Sequence, residues 1–237
     1  MATVEERAAL TARIKAALAL PAATAMLVAL TDIPAKKRLK PLFSALLAPE
    51  ALVRWRAVVA LGATVATVAA AQPEEGRELW RSLMWRLNEE SGTIGWGIPE
   101  VMGETLARSP ALADDYARLL VALVRDLPGA ATAYLDHPGL RLGAWWGIAR
   151  LAEARPDLAG SAVEAVPAAL AEAEPGIRGL ACVALTRIGT APAPALAERL
   201  TALREDTAVF LLYADDRLTD QRVGDWARRA LDGGDAS

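Results

Sequence analysis

The chain has one cysteine, Cys182, and one histidine, His137. A lone thiol excludes an intramolecular disulfide and a cysteine-based metal cluster. A lone imidazole excludes sites that hold iron or zinc through repeated His-Glu pairs. Cys182 lies between Ala181 and Val183 in an apolar segment, which predicts a packed core thiol in a chain suited to a reducing cytoplasm. His137 precedes Pro138 at an expected helix start, where a capping role is expected. The serines Ser44, Ser82, Ser91, Ser109 and Ser161 lack the glycine spacing of a nucleophile elbow. There is no phosphate-binding loop ending in Gly-Lys-Ser or Gly-Lys-Thr. The acid pairs Asp114-Asp115 and Asp215-Asp216 read as solvated helix ends. No catalytic residue, metal ligand or cofactor is expected from these absences.

Surplus charge and long apolar runs are also scarce. The net charge is −3 and the isoelectric point about 5.4, whereas general nucleic-acid binders carry a basic face. The one dense basic run, Lys36, Lys37, Arg38 and Lys40, reads as a solvated helix face. The longest uncharged stretches run from Ala16 to Thr31 and from Ala57 to Pro73. The first contains Pro21, and the second is rich in Ala and Thr and holds Gly62. Both fall short of the ~20 strongly apolar residues of a membrane span. The start, Met1-Ala2-Thr3-Val4-Glu5-Glu6, is unlike a secretory signal. The expectation is a cytoplasmic chain that binds neither nucleic acid nor membrane.

Alanine, leucine and valine dominate what is present: hydrophobic residues are 54% and aromatic ones only 5%. That balance favours helices packed closely through small side chains. Helical spacing recurs in Leu79, Leu83 and Leu87, in Leu119, Leu120, Leu123, Val124 and Leu127, and in Leu196, Leu200 and Leu203. No stretch shows the strict alternation of a half-buried strand. The segments starting at Val53, Leu140 and Ile177 are copies of one another, with Arg54, Arg141 and Arg178 matched, and Ala57, Ala144 and Ala181 matched. The wider gap between Arg54 and Arg141 leaves room for one further copy, Ile94 to Gly103, in which Trp96 matches Trp55 and Gly103 matches Gly62. Pro49, Pro138 and Pro175 stand just upstream of three copies, where a first-turn proline costs nothing. A second amphipathic helix follows each, near 76–88, 111–127, 158–171 and 192–203. The matched arginines are placed to pair with acids of a neighbouring repeat.

This pattern resembles HEAT-like repeats of the phycobilisome-lyase type across roughly residues 49–205. The implied fold class is all-α: a right-handed α-α superhelix, or solenoid, of about five to six helical hairpins in one domain spanning 1–231. Residues 1–47 are expected to form a three-helix cap broken near Pro21 and Pro34, residues 48–205 the repeats, and residues 206–231 a degenerate closing hairpin. Residues 232–237 are expected to be a disordered tail. Caps are needed because an open solenoid end exposes apolar surface.

One segment departs from the repeat. Pro99 falls where Val58 sits mid-helix, a position where proline costs ~3 kcal/mol. A helix that starts late, with Pro99 in its first turn, resolves the conflict and leaves residues 88–97 as an irregular loop. Trp55-Arg56-Ala57-Val58, Arg81, Met84-Trp85, Asn88, Glu90-Ser91-Gly92, Ile94-Gly95-Trp96-Gly97, Pro99-Glu100 and Gly103-Glu104 together resemble a small HEAT-like family of sulfate-reducing and related anaerobic bacteria. In that family the position of Glu89 tends to be Asp and that of Thr93 Gly. The resemblance implies a fold and a shared special loop, and no reaction.

The candidate binding residues are Trp55, Arg56, Trp85, Asn88, Glu90, Ser91, Trp96, Glu100, Glu104, Arg141 and Trp145. Core packing is the competing reading for many of the tryptophans, and helix capping for the loop's polar groups. The leading functional expectation is a non-enzymatic interaction scaffold that binds a partner protein through the solenoid groove and the 88–97 loop. The alternative is a small-ligand or enzymatic role, such as tetrapyrrole handling or nucleobase repair, suggested by HEAT-like bilin lyases and DNA glycosylases. A third is a structural subunit of a larger assembly.

Overall fold

The structure is a computed structural model describing residues 3–87, 95–126 and 133–233. The chain opens with α1 (Val4–Leu18), α2 (Ala23–Thr31) and α3 (Ala35–Ala45). A capping box starts α1: the Thr3 hydroxyl accepts from Glu6 N–H, and the Glu6 carboxylate accepts from Thr3 N–H at 2.7 Å. Four helix pairs follow. They are α4 (Ala51–Ala71) with α5 (Pro73–Leu87), and α6 (Ile98–Arg108) with α7 (Pro110–Ala122). Next come α8 (Pro138–Ala154) with a broken second element, then α11 (Pro175–Ile188) with α12 (Pro194–Ala202). The broken element is α9 (Pro156–Ala159), a 3-10 segment over Gly160–Ala165, and α10 (Val166–Ala169). Gly160 and Pro167 account for the break, since glycine weakens a helix and proline cannot donate to the preceding turn. Most second helices, and α8 and α11, begin with a proline in the first turn.

The first helices α4, α6, α8 and α11 pack on one another in chain order, and α13 (Val223–Leu231) ends the row. One apolar cluster runs from Ile14 to Ala230 without a break into separate cores. Small residues set the helix spacing. A Cβ on Gly103 would lie 2.2 Å from Gly147 Cα, so α6 and α8 meet backbone to backbone there. α4 is long and apolar enough to cross a membrane by length and composition, and more than half of its most apolar window is buried within the protein.

The matched arginines do one job three times. Arg54 Nη1 donates to the carbonyls of Ala48 and Pro49, each at 2.8 Å. Arg141 Nη1 donates to Leu135 and Asp136, and Arg178 Nη1 to Glu172 and Ala173. Each staples the turn that leads into its own helix, satisfying carbonyls that lack helical partners. Arg141 and Arg178 also pair with an acid from the next repeat, Glu172 at 2.7 Å and Asp206 at 2.9 Å. The basic run 36–40 is only partly a solvated face: Lys36 pairs with Glu75, but Arg38 is buried and donates to the Ile33 carbonyl.

The closing element corrects the sequence expectation. Residues 206–231 are not a helical pair: β1 (Val209–Ala214) and β2 (Arg217–Arg222) form an antiparallel hairpin ahead of α13. Asp215 and Asp216 are its two-residue turn, both at positive φ (49° and 59°), and not a helix end. β1 does not alternate because it is covered on both faces near its tip, where Leu212 and Tyr213 are both buried. The hairpin lies along the first-helix layer, with Phe210 filling the space left by Gly179 of α11 and its tip reaching α4.

At that tip Asp216 receives Arg56 Nε and Nη2, both at 2.9 Å, the Ala23 backbone N–H at 2.8 Å and the Tyr213 hydroxyl at 3.1 Å. Arg56 also donates to the carbonyls of Leu18, Leu20 and Pro21. Tyr213 stacks on Trp55 with ring centroids 5.0 Å apart, and Trp146 Nε1 donates to the Tyr213 carbonyl at 2.9 Å. The C-terminal hairpin is thereby clasped to the N-terminal cap. Desolvation works against the Asp216 carboxylate, but the donors from Arg56, Ala23 and Tyr213 outweigh it and hold its pKa below the ordinary value.

Candidate functional site at the irregular joint

Where the repeat breaks, the start of α6 fails to close against α4, and a cavity of about 480 Å³ opens. Its walls are the turn Leu46, Leu47, Ala48 and Pro49, the first turns of α4 with Arg54, Trp55 and Val58, and Trp96, Gly97 and Glu100. Pro99 does sit in the first turn of α6. Gly97 takes a left-handed conformation at φ 78°, which turns the chain sharply into the helix and favours glycine. Trp96 is 41% exposed. Its indole meets the His137 ring edge-on at 5.1 Å and lies over Gly139, where a Cβ would come within 2.6 Å of the ring. His137 is fixed in turn as the N-cap of α8, its Nδ1 accepting from Gly139 N–H at 3.0 Å.

Glu100 and Glu104 lie one turn apart on α6 and contrast sharply. Glu104 is buried and fully engaged: Arg108 donates to Oε1, Arg150 Nε donates to Oε2 at 2.8 Å, and Gly62 of α4 leaves room for its side chain. Glu100 points toward Gly143 of α8, where a Cβ would lie 2.5 Å from the carboxyl group. Its Oε2 is buried without a hydrogen-bond partner, and no basic group among the described residues stands within ion-pair distance. Desolvation raises its pKa to about 7, although its own backbone N–H pulls the other way. An unsatisfied buried oxygen of this kind costs free energy unless something else answers it.

Of the expected site residues, Trp55, Trp96 and Glu100 meet in this cavity. Arg56 points away from it into the clasp with Asp216. Arg141 is buried in its turn staple, and Trp145 is a core residue at 2% exposure. Glu104 belongs to the arginine pair beside it. Trp85 stands exposed on α5, outside the cavity wall. Asn88, Glu90 and Ser91, like the rest of 88–94, lie outside the described residues. The turn Leu46–Pro49 was missed as a wall; its signal in the sequence was its place just upstream of the first repeat, opposite Trp96.

A second, more polar cavity of about 260 Å³ lies under the hairpin tip, lined by Glu104, Arg108, Arg150, Glu153, Arg187 and Asp215 among others. Its charges largely pair with one another: Arg150 with Glu104 and Glu153, and Arg187 with Glu153 at 3.2 Å. No group of His, Cys, Asp or Glu able to hold a metal ion occurs among the described residues.

Together the stacked first helices and the row of second helices define an α-helical repeat solenoid. No protein-family model matches the sequence, and no curated protein matches it. Among solved structures, the chain is similar to computationally designed armadillo repeat proteins for modular peptide recognition, at 17% identity and a TM-score of 0.50, covering 98% of this chain and 94% of that one. Another similar structure is a designed armadillo repeat protein in complex with the peptide (KR)4, at 16% identity and a TM-score of 0.47, covering 95% and 99%. The likeness to the first shows the all-α repeat fold.

Proposed function

We propose that this chain is a non-catalytic HEAT-like binding module that anchors a partner polypeptide in the cavity between α4 and α6. The observation that carries this reading is the cavity itself, with Trp55, Trp96 and Glu100 in its wall, at the joint where Pro99 breaks the repeat register. Half-buried tryptophans in a concave site are strong anchors for a partner side chain. Near Trp55 and Trp146 the chain's own hairpin packs along the first helices, which favours the cavity over the wider groove as the binding surface. Peptide recognition by the designed armadillo proteins is a property of those proteins; here the reading rests on the cavity.

A random-peptide display library panned against the purified chain tests it. Recovered peptides are expected to bind with affinities that fall about tenfold or more in Trp96→Ala, as for an anchor residue. They are expected to bind unchanged to Glu198→Gln, which alters an exposed residue of α12. Peptides that bind Trp96→Ala as well as the natural chain, or no recovered peptide at all, would overturn the reading. Stabilisation by a tetrapyrrole without any peptide binding would instead point to a small-ligand site, for which the cavity volume is also adequate.

A further inference from the structure

Resting on the reading above, we propose that the cavity selects a guanidinium group, so that an arginine of the partner pairs with Glu100 and lies against the exposed indole of Trp96, with the edge of Trp55 in the same wall. Glu100 lines the cavity with no basic partner among the described residues and with its Oε2 lacking a donor, while Glu104, one turn along the same helix, has two arginines. The protein builds cationic partners for one acid and leaves the other facing a cavity. A planar guanidinium answers both features of that cavity: its N–H groups bond a carboxylate in a forked geometry, and its face stacks on an indole. The opposite wall is the turn leaving the C-terminal end of α3, where the helix dipole adds negative potential.

Arg54 also lines the cavity, but its role is fixed by the repeat. Its Nη1 holds the Ala48 and Pro49 carbonyls as Arg141 and Arg178 hold theirs, and it forms no ion pair with Glu100. The slot opposite Gly143 holds the carboxyl group of Glu100 in place. The net charge of −3 further favours a cationic ligand over an anionic one.

The probe is N-acetylarginine methylamide, with the citrulline analogue as its neutral isostere. The indole N–H signals of Trp55 and Trp96 are followed by NMR during titration. Saturable shifts of both signals are expected with the arginine compound, with binding at least about tenfold weaker for citrulline, the size of a charge-assisted hydrogen bond. Glu100→Gln is expected to abolish that preference while remaining folded, and Glu198→Gln to retain it. Equal binding of citrulline, an unchanged preference in Glu100→Gln, or no saturable shift would overturn the proposal. If the arginine compound fails while a displayed peptide still binds in a Trp96-dependent way, the guanidinium assignment falls and the binding module stands. If neither binds, both fall.

Discussion

At the scale of single residues, Glu100 carries the sharpest consequence. One oxygen of its carboxyl group, Oε2, is buried without a partner, and desolvation raises its pKa from 4.5 to about 7. The folded chain therefore keeps a proton that the unfolded chain has already released, and stability falls as pH rises from about 4.5 to about 7. Glu100→Gln removes that penalty. Denaturant unfolding at about pH 8 should find the variant more stable by roughly 1–3 kcal/mol, and the two proteins should converge near pH 4. A destabilised variant at high pH would mean that Glu100 is answered by some group inside the fold. Gain of stability with loss of guanidinium binding is the pattern expected of a residue kept for function. The sequence made Trp55, Trp96 and Glu100 legible because repeat register aligned them and Pro99 exposed the joint. Arg56, Arg141 and Trp145 carry the same residue chemistry but face inward. Periodicity reports which face a residue occupies, not whether a long side chain turns back to staple a carbonyl.

At the scale of elements, the helices were readable and the hairpin was not. Proline and glycine marked the ends of α4, α8 and α11, and leucine spacing marked α5, α7 and α12, whereas the single helix expected at 158–171 is broken by the 3-10 segment. The hairpin's residues Val209, Phe210 and Tyr213 suit a strand, but burial on both faces erased the alternation by which a strand is recognised. Its turn carries Asp-Asp where glycine is usual, held by the distant contacts of Asp216 with Arg56 and Ala23. Those contacts are tertiary and leave no local trace. Asp216→Asn should cost about 2–4 kcal/mol by leaving the buried Arg56 cation without its counter-charge. Hydrogen exchange should then speed up in β1 and β2 and in residues 18–23 together. Accelerated exchange confined to the turn would mean that the clasp contributes little. α6 and α8 offer a separate test. Gly103→Ala forces a methyl group onto the Gly147 backbone, and thermal denaturation should show a loss of about 3 kcal/mol, at the upper end for overpacking. An unchanged midpoint would show that the two helices can separate freely.

At the scale of the whole molecule, the solenoid is closed upon itself. A row of repeats ordinarily contacts only its neighbours, but here the hairpin joins the last repeat to α4 and to the segment between α1 and α2. That clasp covers part of the first-helix surface and leaves the cavity at the α4–α6 joint open. The measurement that tests this most directly is hydrogen exchange of the chain alone and in complex with a peptide recovered by display. Protection is expected in the walls of the joint, residues 46–58 and 95–104, with the hairpin unchanged. Protection confined to residues 209–222 or to the second helices, with the joint unaffected, would contradict the account.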